Sequence, residues 1–455
     1  MTEKISARYA LTPDGWLENA VISIDNGKIV DVSRHATLAN PSVGVLLPAL
    51  SNVHSHSFQR AMAGLAETRG GQALNDFWTW RKVMYRFLEL LTPEDIGIIA
   101  AQVQMEMLEA GYAAQAEFHY LHHAPGGQHY DNIEELSLWH IDAAHITGIG
   151  YTHLPVLYMR GGLDGRPLQG GQIRFGCSID EFQKLYGAIE KQFGALPSDY
   201  VLGIAPHSLR AVSTEGIRAC LALSEKGPFH IHAAEQTGEV RDTLNHLGAR
   251  PVQWILDNNP VDERWCFIHA THLDGDETTR LASSGAVAGL CPLTEANLGD
   301  GIFNATEFIS QGGRFGLGSD SNIRIGLAEE LRMLETSQRL RDRRRLLLTS
   351  DACPSNGRFM YERAAMGGAQ AIGRHSGRIE VGYSADLLAL DTRHNSICGL
   401  SGDTLLDAWI FTCSHEAISD VWSAGRHVVQ DGVHIRRQEI ESAFNRTVKH
   451  LREQL

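Results

Sequence analysis

Four short segments carry side chains that bind metals or move protons. They read His54-Ser55-His56, His230-Ile231-His232-Ala233-Ala234-Glu235, His269-Ala270-Thr271-His272 and Gly318-Ser319-Asp320-Ser321. Three neutral imidazoles and a carboxylate form a donor set suited to one divalent metal ion per chain, Zn²⁺ first, with Fe²⁺ as the alternative. A catalytic metal of this kind keeps one position open and lowers the pKa of bound water to about 7. The remaining groups then acquire roles. Glu235, three residues after His232, is placed to shuttle a proton. His269 can accept the proton of the attacking water or polarise the substrate, and Asp320 can touch both metal and water. A single buried histidine is ordinarily a hydrogen-bonded core residue, but four separate segments of one chemistry are not accounted for in that way.

Each of these segments ends an apolar run. Eight such runs occur: 44–54, 114–119, 150–158, 201–206, 229–232, 265–269, 285–291 and 314–318. Helical stretches separate them. Thr92-Pro93-Glu94-Asp95 offers an N-cap, a proline at the first helical position and acids in the first turn; Ile96, Ile99, Val103 and Met107 mark one face, and Gly111 ends the helix. The alternation predicts an α/β chain with a (β/α)8 TIM-type barrel, although an open parallel sheet has the same periodicity. In such barrels the chemistry sits at the C-terminal strand ends. Residues i and i+2 of a strand share a face, so His54 and His56 can both point into the barrel mouth.

Both ends of the chain read differently. Asp25-Asn26-Gly27 between alternating apolar positions is a strong hairpin signal, and segments 385–391, 418–422 and 426–432 have the same character. The expected organisation is a small β-sandwich domain from residues 1–47 and 381–435, a barrel over 48–380, and a C-terminal helix over 436–455.

Forty basic residues against 54 acidic ones give a formal charge of −14, which disfavours nucleic acid as a partner. The arginines at 339, 341, 343, 344 and 345 are expected on a solvated or subunit-contact face. No run approaches the roughly 18 apolar residues that cross a bilayer, and MTEKISARYA lacks a signal-peptide pattern. Seven scattered cysteines without a CxxC pair fit reduced thiols. A cytoplasmic protein without a membrane partner is expected.

The segments LPALSNVHSHSFQRAMAG, HIHAAEQ, FIHATH, LCPLTEANLGDG and GLGSDS resemble the amidohydrolase superfamily over almost the whole chain. That resemblance implies a metal-dependent barrel flanked by a β-sandwich. Binuclear members usually carry a carboxylated lysine at the end of strand four, but VLGIAPHSLR contains no lysine. With Glu235 after His232, the pattern resembles the mononuclear deaminase branch. The implied ligands are His54, His56, His232 and Asp320, with His230 a structural partner, a choice that spacing alone leaves open. The longer segments HSHSFQRAMAGLAE, FWTWR, AEFHYLHH, HSLRAV and TEANLGDGIFNATEF resemble members that hydrolyse N-formimino-L-glutamate in histidine degradation. They imply substrate contacts from Gln59, Tyr120, His207 and Arg210, with Arg81 a weaker candidate, and a homodimer.

A physical reason supports those contacts. Formiminoglutamate is a dicarboxylate, and the planar guanidinium fork of Arg210, just after strand four, matches a carboxylate. The expected reaction is hydrolytic deamination that leaves N-formyl-L-glutamate and ammonia, with Glu235 delivering a proton to the departing nitrogen. An aminated purine or pyrimidine is the alternative substrate; a non-catalytic barrel is disfavoured because the whole donor set is present. Two positions depart from the superfamily pattern, Ala49 after Pro48 and Asn322 two residues after Asp320. The glycine-rich stretch 161–172 is expected to be a mobile loop after strand three.

Overall fold

The computed structural model describes residues 2–67 and 77–454, leaving aside the side chains at 77–79, 81 and 82. Eight parallel strands form the central ring: β1 (Leu50–Ser55), β2 (Tyr112–His119), β3 (Gly150–Leu157), β4 (Tyr200–Leu202), β5 (Phe229–Ala233), β6 (Trp265–His269), β7 (Val287–Leu290) and β8 (Arg314–Leu317). The short strand Ala205–Pro206 continues the line of β4 and pairs with β3. Parallel bridges Ile204–Phe229 and Ser208–His232 join it to β5 and close the ring. This is a (β/α)8 barrel, so the open-sheet reading falls away. Strands β2, β3, β5 and β6 are buried along their whole length, as a ring covered by helices requires.

Helices form where the sequence supplies their ends. Thr92 caps Pro93–Glu109 by accepting the Asp95 amide, while Asp95 reaches back to the Thr92 N–H. Gly111 follows with φ +98°, a left-handed turn into β2 that favours glycine.

The first apolar run is not one strand. Val43–Pro48 pairs with Glu3–Thr12 and Leu387–Leu390, outside the barrel, and β1 begins only at Leu50. Pro48 has no N–H to continue a ladder, and its carbonyl accepts the Tyr361 hydroxyl at 2.8 Å. The Ala49 amide still donates to Asp386 of the outer sheet. This outer sheet has eight strands, four from each end of the chain, in agreement with a β-sandwich domain made from both termini. Asn26 and Gly27, both at positive φ, form its two-residue hairpin turn. Its apolar face packs Ile5, Ile22, Ile29, Leu46, Leu387 and Trp422.

The helix Arg437–Arg452 packs on Pro93–Glu109. Among the arginines at 339–345, the helix Leu327–Asp342 ends before Arg343, which adopts φ +54°. All seven cysteines are free thiols. Among the described residues no helix is long and apolar enough to cross a membrane.

Candidate active site

Four strand ends, those of β1, β5, β6 and β8, carry the metal-type donors and the proton-handling groups. At the end of β1, His54 and His56 are buried beside Asp320, which follows β8. Asp320 Oδ1 lies 3.4 Å from His54 Nε2 and 3.3 Å from His56 Nε2. His232 on β5 brings its Nε2 to 3.1 Å from His54 Nε2.

Proton positions on two of these rings follow from their second nitrogens. His56 Nδ1 donates to the Phe118 carbonyl and His232 Nδ1 to the His207 carbonyl, each at 3.1 Å. Both Nε2 atoms are therefore bare acceptors. Burial, reinforced by neighbouring imidazoles, holds the pKa of His54 and His232 well below the ordinary histidine value. Burial also lowers that of His56, although Asp320 works against it. Neutral rings with converging lone pairs beside a carboxylate fit a divalent metal ion. Such a convergence of imidazole and carboxylate donors is the kind a divalent ion coordinates. His230, on the same face of β5, is not in this group. Its Nε2 donates to the Ala371 carbonyl at 2.7 Å.

Strained backbone sets the cluster. Ala234, His269, Ala270, Asp320 and Asn322 all take positive φ, between +45° and +69°. Such conformations in non-glycine residues concentrate at functional sites, where surrounding bonds hold them. The holding bonds are visible. The His56 amide donates to the Asp320 carbonyl, and the Asp320 amide donates to the His54 carbonyl. Asn322 is buried and donates to the Ser55 hydroxyl and the His56 carbonyl. The departure from the superfamily pattern at this position thus joins the ends of β1 and β8.

Above the cluster stand Glu235 and His269. His269 Nε2 is 3.9 Å from both Glu235 Oε1 and Asp320 Oδ2. Burial raises the Glu235 pKa from its ordinary value. Burial opposes a charge on His269, but Glu235, Glu295 and Asp320 outweigh it and push its pKa up to about 10. Glu239, which sequence reasoning missed, accepts the amides of Ala234 and Glu235 and so holds the turn after β5. Its only signal was a carboxylate four residues beyond Glu235, a spacing that occurs on any helix.

A cleft open to solvent lies over these groups. Gln59, Tyr120, His207 and Arg210 line it with Glu235, His269 and Asp320, so the expected contacts are brought together. Gln59 Nε2 donates to the Tyr120 hydroxyl at 2.9 Å, while its buried Oε1 has no bond among the described residues. Tyr120 also packs edge-on against His56 and Phe175. Arg81 falls within the helix Phe77–Leu88, but its side chain lies outside the described residues. The same helix contributes Trp80 and Met84 to the cavity wall. After the glycine-rich stretch, Phe175 joins that wall. Its neighbour Arg174 is buried against the carbonyls of His123 and Leu88.

Known proteins share this architecture. The amidohydrolase family model matches residues 45–428. A formimidoylglutamate deiminase of Pseudomonas aeruginosa is 47% identical over 445 residues, 97% of each chain. A 5-methylthioadenosine/S-adenosylhomocysteine deaminase of Haloarcula marismortui is 27% identical, over 97% of this chain and 94% of its own. The crystal structure of an amidohydrolase from Brucella melitensis superposes with a TM-score of 0.93 at 44% identity, covering 99% of both chains. An adenosine deaminase from Xanthomonas campestris, at 19% identity and a TM-score of 0.81, shares the fold. The match to the family model and these near full-length similarities lead to one conclusion: the chain belongs to the amidohydrolase family.

Proposed function

We propose that this chain catalyses hydrolytic deamination of N-formimino-L-glutamate to N-formyl-L-glutamate and ammonia, a step of histidine degradation. What carries the reading is the presence, in one cavity, of a metal-type donor set and a guanidinium suited to a carboxylate. The similarity to the Pseudomonas deiminase agrees with it.

In this reading His54, His56, His232 and Asp320 hold one divalent metal, Zn²⁺ by its preference for imidazole and carboxylate donors. Bound there, the metal supplies a nucleophile from water at neutral pH. Arg210 anchors a substrate carboxylate through charge-assisted hydrogen bonds, and Tyr120 and His207 add polar contacts. Gln59 offers its bare Oε1 to a substrate N–H. Arg81 is a further candidate for the second carboxylate. Glu235, whose raised pKa suits both gain and loss of a proton, receives one from the attacking water. It then delivers it to the departing nitrogen. His269 faces the same space and polarises the formimino group, and Asp320 collects the second proton of the water. Water adds to the formimino carbon, the carbon–nitrogen bond breaks, and ammonia leaves. The functional form is a homodimer in the cytoplasm.

The test is ammonia release from N-formimino-L-glutamate by purified protein, with zinc measured on the same sample and guanine run in parallel. Ammonia and formylglutamate with about one metal per chain support the reading. A metallated protein that deaminates guanine and leaves the formimino substrate untouched would overturn it.

A further inference from the structure

His269 reaches the cavity from backbone it would not choose, with φ +69° and Ala270 at +50° behind it. The direction of its ring therefore depends on what the ring touches. Nε2 points to Glu235 and Asp320, at 3.9 Å from each. Nδ1 meets Glu295 Oε1 at 3.2 Å.

Glu295 sits in the short helix Pro292–Leu298 after β7 and is 4% exposed. The same Oε1 accepts the Cys291 amide at 2.9 Å, which fixes the carboxylate to the chain leaving β7. That oxygen is an acceptor in both contacts, so the proton between it and the imidazole sits on Nδ1. His269, Cys291 and Glu295 are also close enough to resemble a second metal group. The two hydrogen bonds already engage the carboxylate oxygen and Nδ1, and the trio is better described as a tether.

We propose that Glu295 is a positioning residue for His269: it orients the ring and places a proton on Nδ1, so that Nε2 is presented to Glu235, Asp320 and the substrate. In its kinetic consequences this rests on the deiminase reading; in its geometry it does not. Glu295 touches no reacting atom, and its effect on the reaction runs through His269.

A double-mutant cycle tests that statement. Glu295→Met keeps the volume and removes the acceptor. It should lower kcat roughly 10- to 100-fold with KM and metal content nearly unchanged, as loss of an orienting carboxylate does elsewhere. In a His269→Asn background the same substitution should cost nothing further, because residues acting as a unit are not additive. A loss that persists undiminished in that background overturns the proposal. Glu295→Gln retains an acceptor oxygen and should stay within about 10-fold of the parent, below the loss expected when the partner is deleted. A Gln variant as slow as the Met variant also overturns it.

A crystal structure of the folded variant gives a readout independent of activity. In Glu295→Met the His269 ring should turn away from Glu235 and Asp320. A ring left in place contradicts the proposal. If the parent releases no ammonia from the formimino substrate, the function assigned above fails, and the ring orientation still decides this one.

Discussion

His54 and His232 meet Nε2 to Nε2 at 3.1 Å across the barrel mouth, from strands β1 and β5. The His232 proton is committed to the His207 carbonyl, so its facing nitrogen is a lone pair. Together with His56 Nε2 and Asp320 these atoms converge as the donors of one divalent ion do. Dialysis against a strong chelator should therefore abolish turnover and lower Tm by several degrees, because a ligand that binds only the folded state stabilises it. Added zinc should restore both. Unchanged Tm and full activity after metal content reaches zero would refute the assigned ligand set.

Glu235 is buried between His269 and the turn held by Glu239. Glu235→Gln keeps the shape and removes proton transfer. The expected loss in kcat is roughly 10²- to 10⁴-fold, with metal content retained. Near-normal rates would move the proton shuttle to another group, His269 first.

Arg210 shares the cavity with the metal donors while lying outside their cluster. Arg210→Met should leave metal content intact and reduce kcat/KM by about 10- to 100-fold, the equivalent of one lost charge-assisted hydrogen bond of roughly 1.5–3 kcal/mol. Kinetics on the formimino substrate check this, and an unaltered kcat/KM would remove Arg210 from the carboxylate site.

Glu117, at the end of β2, accepts the amide and hydroxyl of Ser57, yet burial raises its pKa to about 7. The folded value lies above the unfolded one. Its contribution is thus fully present below about pH 4.5 and is lost as pH rises through about 7. Relative to Glu117→Gln, the parent should lose on the order of 3 kcal/mol between these limits. Thermal melting of both proteins at pH 5 and pH 7.5 checks the sign: the Tm difference should move in favour of the Gln variant at the higher pH.

Arg374 and Asp386 form a buried pair, 4% and 1% exposed, between the last barrel helix and the outer sheet. Asp386 also accepts the Ala424 amide at 2.7 Å. Asp386→Ala removes the two-oxygen partner of a buried guanidinium and leaves it Asp199 as counter-charge, at 3.7 Å, so it should destabilise the fold by about 3 kcal/mol. Tm should fall while kcat of the folded fraction is preserved; a Tm within a degree of the parent would contradict the account.

The residues that do chemistry were legible because their types are rare at strand ends and recur there. His54, His56, His232, Glu235, His269 and Asp320 all announce themselves by following apolar runs. Local grammar was equally plain. Asn26-Gly27 turns a hairpin, and Thr92 caps a helix, because both depend only on residues a few positions apart.

What depends on distant partners was not legible. His230 and His232 share a face of one strand, and only depth in the barrel separates them: one meets the Ala371 carbonyl, the other His54. The apolar run before His54 looks continuous. Tertiary pairing divides it, sending Val43–Pro48 to the outer sheet and Leu50–Ser55 to the barrel. Glu239 and Glu295 carried no signal of their own, since a carboxylate on a helix is ordinary, and Asn322 stood out only as a departure from the superfamily pattern. They matter because folding places their oxygens and nitrogens against the strained ends of β5, β6 and β8. Sequence determined which donors this protein has; closure of the ring decided which of them meet, because the four strand ends that carry them are far apart along the chain and converge only when the barrel is complete.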